Sequence, residues 1–336
     1  MLSSAVRIMS ETGRIFVVTG ASSGIGLATA EGLAREGRGR RLVLVCRDEG
    51  RGRAAVDRVR RAGAAEGDVD LVLADLSSQR TVRRLARELA ERCPRIDVLI
   101  HNAGVITPER RLTDDGIETQ LAVNHLAPFL LTQLLRAPLI ASGTARVVVV
   151  ASQVERHGTI RFDDLQGEQS YDSLEAYYQS KLANVLFTYA LAERWAATTI
   201  TVNCLHPGVV RSNLLDAFKA AGRRRREGAG GAGAAPAVGQ AVRAGLRLGR
   251  LGLRALRAGV ERFAPRAPDP DDDGPLTPAD GAKTPIRVAT APELAGVTGR
   301  YFREEGEARS SPQSYDVAAR ERLWSVSAAL VGIDPA

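Results

Sequence analysis

Cysteine and aromatic residues are scarce in this 336-residue chain, and it has no long apolar run. Its three cysteines, Cys46, Cys93 and Cys204, stand far apart, with no Cys-x-x-Cys pair and no metal-ligand spacing. An odd, sparse set argues against a disulfide framework and for a reducing compartment, so no metal site and a cytoplasmic location are expected. No stretch approaches the ~18 apolar residues that a bilayer-spanning helix requires. Residues 1–12 hold one Arg and no apolar core, so 1–13 reads as a short leader and not as a signal peptide. Aromatics make up 4% while Ala, Gly, Arg and Val abound, a bias that a GC-rich genome accounts for as well as any structural demand does.

What is present is the composition of a soluble globular protein, with 44% hydrophobic and 25% charged residues. The length suits one large α/β domain carrying an insertion. The net charge of +7 misleads if spread over the whole fold, because Lys219 to Arg262 holds eleven Lys/Arg and two Glu, a local +9 that leaves the remainder near −2. Basicity confined to one segment gives no reason to expect a nucleic-acid partner.

Short β-branched runs at 15–19, 42–46, 69–73, 98–101, 147–151 and 200–205 read as buried strands. Helical periodicity fills the gaps, as at 27–35, 51–61, 81–92 and 182–195. Strands alternating with helices predict a doubly wound α/β fold with a parallel sheet covered on both faces. Regularity lapses after Pro207 and returns with a helix near 278–290 and a last strand at 299–302. The reading is therefore one domain over 14–325, with 216–277 as an insertion and 326–336 as a tail.

The first strand runs into Thr19-Gly20-Ala21-Ser22-Ser23-Gly24-Ile25-Gly26 and then a helix. Glycines at this place let backbone N–H groups approach a pyrophosphate at the helix N-terminus, where the helix dipole favours negative charge; Ser22 and Ser23 add hydroxyls. About 20 residues further on, where an acid would bind the ribose hydroxyls of NAD, stands Arg47 after Cys46. A guanidinium there can hold a 2′-phosphate, so NADP (NADPH) is the expected cofactor. Asp48 keeps open the alternative of a ribose contact.

Tyr177 and Lys181 lie four residues apart, on one face of a helix. A free tyrosine titrates near pH ~10, and a nearby ammonium lowers that value, so the pair is a candidate proton relay for carbonyl/alcohol interconversion. Ser152 follows the fifth strand, at the sheet edge where open α/β folds place their sites, and can hold a substrate oxygen. Asn124, on a helix expected between strands four and five, offers an amide that could anchor a water for the lysine.

In this order, Thr19 to Gly26, His101-Asn102-Ala103-Gly104, Asn124, Ser152, Tyr177-x-x-x-Lys181 and His206-Pro207-Gly208 resemble the short-chain dehydrogenases/reductases. Residues 45–52, 176–188 and 277–302 resemble the retinol-dehydrogenase-like branch. The likeness covers roughly 14–215 and 277–325. It implies a Rossmann fold with a mainly parallel seven-stranded sheet and helices on both faces. It also implies Tyr177 as general acid/base, Lys181 as its modulator and nicotinamide-ribose ligand, Ser152 as substrate-oxygen ligand and Asn124 as relay. Further cofactor contacts are implied for Gly20, Ser22, Ser23, Gly24, Ile25, Gly26, Arg47, Asp75, Leu76, Asn102, Ala103, Gly104, Pro207, Gly208, Val209 and Ser212. Two positions depart from the family pattern. His101 replaces an asparagine, which removes one local hydrogen bond, and Ser212 stands where threonine is common.

The resemblance implies an apolar carbonyl or alcohol substrate and a homo-oligomer. In the insertion, Arg243, Arg247, Arg250, Arg254 and Arg257 recur at helical spacing, so 238–263 reads either as a lid or membrane-surface helix or as a solvated insertion. Two other function classes stay open: an NADP(H)-binding sensor or scaffold without turnover, and a nucleotide-sugar epimerase, which also uses Tyr-x-x-x-Lys.

Overall fold

The Val-, Ile- and Leu-rich runs become strands buried on both faces. In the computed structural model, which describes residues 13–37, 39–231 and 274–334, seven of them lie parallel: β1 (Arg14–Thr19), β2 (Arg40–Cys46), β3 (Val69–Leu73), β4 (Val98–His101), β5 (Arg146–Val150), β6 (Thr201–His206) and β7 (Tyr301–Arg303). Beyond the seven expected, a short antiparallel strand β8 (Gly306–Ala308) forms a hairpin with β7, giving the order β3-β2-β1-β4-β5-β6-β7-β8.

Alternate strand residues feed two cores. On one face Phe16, Val18, Leu42, Leu44 and Ile100 pack with α1 (Gly24–Arg35), α2 (Glu49–Arg61) and a later helix. On the other, Val17, Val43, Leu99, Val147 and Val202 pack with α3 (Gln79–Arg92) and with the chain that crosses after β4. That chain runs through α4 (Thr119–Leu121), a π turn (Ala122–Leu126), α5 (Ala127–Leu134) and α6 (Arg136–Ala141). The long α7 (Ser173–Arg194) follows β5. It begins nine residues before the predicted 182, because Asp172 accepts hydrogen bonds from the N–H groups of Leu174 and Glu175 and starts the helix ahead of its apolar stretch.

After β6 come α8 (Asn213–Gly231), α9 (Pro278–Thr290) and, past the β7–β8 hairpin, α10 (Val317–Val331). The chain divides into two units, residues 1–221 with 275–336, and residues 222–274. The described part of the second is essentially the end of α8. The candidate helix 238–263 with its arginine stripe lies outside the described residues, as do residues 1–12. Among the described residues no helix is long and apolar enough to cross a membrane. Cys46, Cys93 and Cys204 are free and buried.

The boundary drawn at 325 is overrun by α10, which continues to Val331 and buries Trp324, Ala328 and Val331 in the core. Its alternation of Ala, Ser and Leu carries little amphipathic contrast, which is why the pattern gives no clear stop. Trp324 meets Phe129 edge-on at a ring separation of 4.9 Å and stacks against Phe187 at 6.2 Å, with the Arg194 guanidinium 4.2 Å from its ring centre. Replacing Trp324 by Ala should therefore cost about 3–5 kcal/mol of stability, the usual range for deleting a buried aromatic. Urea denaturation measures it, and a loss below about 1 kcal/mol would show that this helix is not part of the core.

Candidate active site

β1 leads into α1 on one face of the sheet, whereas β4 leads into the crossover on the other, so their carboxyl ends diverge and open a crevice. A cavity of about 630 Å³ occupies it. One wall is the turn from Gly20 to Gly24. Gly20 adopts φ +67°, and a Cβ there would sit 2.8 Å from the Cα of Ala103. At Gly26 a Cβ would meet Asn102 Nδ2 at 2.3 Å and Gly20 O at 2.5 Å. Both positions need glycine for close backbone approach. Ser23 is the N-cap residue of α1 but makes no side-chain cap bond, which leaves first-turn N–H groups for an anion.

Asn102 and Ala103 hold this turn without being free themselves. Their N–H groups donate to Thr19 Oγ1 at 3.0 and 3.2 Å, and Asn102 Nδ2 donates to Thr19 O at 2.9 Å and Gly20 O at 3.3 Å. His101, the departure from the family pattern, finds a partner of its own. Thr132 Oγ1 donates to Pro128 O at 2.7 Å, so the 2.7 Å contact between His101 Nε2 and Thr132 Oγ1 has the imidazole as donor. Burial pulls the His101 pKa down to about 3 and keeps the ring neutral.

At the far end of the turn, Arg47 is exposed, lines the cavity, and makes no hydrogen bond or ion pair among the described residues. Asp48 is committed elsewhere: it is the N-cap of α2, accepting from Arg51 N at 2.8 Å. Arg51, which the sequence reading missed, also lines the cavity and donates to Ser23 Oγ at 3.1 Å. The signal was available, since Arg51 falls on the first turn of α2 beside the end of β2.

Ser152, Tyr177 and Lys181 meet on the opposite side of the same cavity. Ser152 caps the short 3-10 turn Gln153–His157 after β5, and its hydroxyl lies beside the Tyr177 phenol. Tyr177 is 5% exposed. From the four-residue spacing alone, the ammonium is expected to lower its pKa. In the structure burial prevails and raises it, with the Ser152 hydroxyl opposing. Lys181 Nζ lies 5.6 Å from the Tyr177 ring centre and donates to Val150 O at 3.1 Å, its one hydrogen bond among the described residues. Burial lowers its pKa to about 8. An ammonium has three N–H donors, so two remain to be directed at a ligand.

Asn124 does not line the cavity. It sits fully buried in the π turn, not in a regular helix, and both its amide hydrogens are taken: Nδ2 donates to Val105 O and to Ser180 Oγ, each at 3.0 Å, while Oδ1 accepts from Val105 N at 2.8 Å. Its amide therefore positions neighbours and does not donate to a water. Ser180, also missed, passes the link on by donating to Tyr177 O at 2.8 Å. Its place between Tyr177 and Lys181 was the clue.

Of the remaining expected contacts, Ser22, Ile25, Asp75, Leu76, Gly104, Pro207, Gly208, Val209 and Ser212 all line the cavity, whereas Gly26 supports it from behind. Asp75 accepts from Ser77 N and Oγ at 2.9 and 2.8 Å. Ser212 caps α8 through Leu215 N at 3.3 Å. The side of the cavity beyond Tyr177 is apolar, formed by Val105, Ile106, Val154, Leu214, Leu215 and Phe218. Glycine cradle, uncapped helix terminus, unpaired guanidinium and half-used ammonium together fit a phosphate-bearing dinucleotide.

Nothing in a simple binding module calls for a phenol buried beside a desolvated ammonium; fold and site define the dinucleotide-dependent oxidoreductases built on a doubly wound sheet. The particular family follows from comparison with known proteins. The family described as short chain dehydrogenase matches residues 14–222, and the chain belongs to it. The chain is 37% identical to human retinol dehydrogenase 14 over 333 residues, covering 96% of this chain and 87% of that protein. Among solved structures, it superposes with a TM-score of 0.67 on an uncharacterised protein from Mycobacterium paratuberculosis, 27% identical, with 99% of each chain covered. Actinorhodin polyketide ketoreductase with NADPH gives a TM-score of 0.56 at 26% identity, over 87% of this chain and 96% of that one. The protein is thus a retinol-dehydrogenase-like oxidoreductase acting on alcohol or carbonyl groups with a nicotinamide cofactor.

Proposed function

We propose that this oxidoreductase uses NADPH to reduce the carbonyl group of an apolar small molecule, or NADP to oxidise the matching alcohol, with Tyr177 as general acid/base. The observation that carries the reading is the convergence of the Tyr177 phenol, the Ser152 hydroxyl and the Lys181 ammonium on one cavity whose opposite wall is the glycine turn. The bound nicotinamide supplies or accepts the hydride.

The chain's own residues handle the proton. Burial keeps the Tyr177 phenol protonated, so its O–H stands ready to donate to a carbonyl oxygen that gains negative charge. Ser152 donates to the same oxygen and fixes its position. Once the proton has left, the phenolate draws support from the ammonium of Lys181, an attraction strengthened by the low polarity of a buried site. In the alcohol-oxidising direction the same groups accept the proton. Asn124 and Ser180 hold the α7 backbone at Tyr177 and so aim the phenol.

Support for NADP over NAD comes from the adenosine end. Arg47 has no protein partner among the described residues, Arg51 reaches Ser23 beside it, and the neighbouring acids Asp48 and Asp75 each accept hydrogen bonds from their own turns. Two guanidiniums beside such engaged carboxylates favour a 2′-phosphate.

Three outcomes are expected. Tyr177→Phe should lose about 10²–10⁴-fold in kcat, the usual scale of general acid–base catalysis, while NADPH binding by fluorescence persists; retention of the parental rate would falsify the assignment. Arg47→Asp should shift the NADPH/NADH preference in kcat/KM by about 10–100-fold toward NADH, matching the ~1.5–3 kcal/mol of a charge-assisted hydrogen bond; an unchanged ratio would remove Arg47 from the cofactor site. A pH effect follows from Lys181, which is cationic below its lowered pKa of about 8 and neutral above it. NADPH affinity should therefore weaken as pH rises through about 8, and Lys181→Met should flatten that dependence. A wild-type affinity that is level from pH 7 to 9 counts against a cofactor contact by this ammonium.

A further inference from the structure

We propose that Phe218 determines substrate specificity at the carbonyl site, closing the space beside Tyr177 so that carbonyl compounds branched next to the reacting carbon are excluded. The inference rests on the catalytic reading above and adds to it the steric class of substrate.

On the first turns of α8, Leu214, Ala217, Phe218 and Ala221 share a face at intervals of three and four. These four are half-buried or buried, whereas Asp216 and Lys219 on the other side are exposed. The face is turned to the cavity, which Leu214, Ala217 and Phe218 all line. The helix start is secured twice. Ser212 Oγ accepts from Leu215 N at 3.3 Å, and just before it Leu276 N donates to Val209 O at 2.8 Å while Arg211 N donates to Leu276 O at 2.9 Å.

So held, the Phe218 ring lies 6.1 Å from the Tyr177 ring at an interplanar angle of 70°, an edge-on contact, and 6.3 Å from the Tyr178 ring at 43°. Both separations fall within the range of attractive aromatic pairs. In a chain with 4% aromatics, Tyr177 and Phe218 are the two cavity-lining residues of that class, and they touch. A substrate whose oxygen accepts the Tyr177 proton must place its nearest carbons within a few bonds of that phenol. The Phe218 ring bounds this volume. A straight chain or a flat ring passes along it, whereas a substituent on the adjacent carbon collides with it.

The test compares hexanal with 2-ethylhexanal as substrates, using NADPH and the full chain. The parental protein should favour hexanal. Phe218→Ala should move the hexanal/2-ethylhexanal ratio of kcat/KM at least about tenfold toward the branched aldehyde, the scale expected for altering a pocket by one or more methylenes. Phe218→Leu should fall between, and Phe218→Trp should move the ratio the other way. NADPH binding should be the same in all four proteins. A uniform loss of rate on both aldehydes with an unmoved ratio overturns the proposal and leaves the catalytic reading standing. A parental protein that neither binds NADPH nor reduces either aldehyde overturns both.

Discussion

The hydroxyl of Thr19 holds the crevice together. The loops after β1 and β4 leave the sheet toward opposite faces, and without a tie between them the gap would have no fixed width. Thr19 Oγ1, 1% exposed, accepts from the N–H groups of Asn102 and Ala103 and donates to Ile100 O at 3.3 Å. Asn102 returns its amide to Thr19 O and Gly20 O. Buried polar groups satisfied in this reciprocal way are costly to disturb, because each broken bond leaves a desolvated donor or acceptor. The glycine turn is pressed against that tie, so the positions of the N–H groups at the start of α1 follow from a contact made outside the turn.

On the other side of the crevice the governing quantity is burial. A phenol and an ammonium are each driven toward their neutral forms when desolvated, which raises the Tyr177 pKa and lowers that of Lys181 to about 8. At pH 7 the ammonium still outnumbers the amine about tenfold, so the pair rests as protonated phenol and charged lysine. This is the state a carbonyl reductase needs before the proton moves. The same burial that makes the phenolate costly on its own makes the ammonium's support of it strong when the charge appears.

Much of this was legible in the sequence. Periodicity and β-branching located seven strands to within about two residues, and the ordered motifs brought Ser152, Tyr177, Lys181 and the glycine turn to one sheet edge. What escaped were features decided by partners distant in sequence. Asn124 was legible as a special residue, but the consumption of its amide by Val105 and Ser180 depends on a π turn that no local preference encodes. Burial reversed the expected direction of the Tyr177 shift, since a four-residue spacing carries no information about desolvation. The edge strand β8 was missed because Gly306–Ala308 is too short and polar to stand out, and pairs only as the return of a hairpin. Phe218 belongs to a helix whose position over the cavity is set by tertiary packing.

The two ends of the cavity differ in how they are supported, and the difference bears on what each can recognise. The polar end, with Ser22, Ser23, Arg47 and Arg51, stands on strands buried on both sides and on a turn locked by the Thr19 tie. The apolar end stands on α8, whose attachment at its start is the pair of backbone hydrogen bonds between Leu276 and the stretch from Val209 to Arg211. Those bonds hold the start of α8 from outside the sheet, so the apolar wall does not share the support of the polar end. A cofactor common to many reactions calls for a fixed site, whereas substrate choice can vary with the side chains of one peripheral helix. With Phe218 on that helix and edge-on to Tyr177, substitutions on the first turns of α8 can alter which carbonyl compounds reach the phenol while Ser152, Tyr177 and Lys181 stay unchanged.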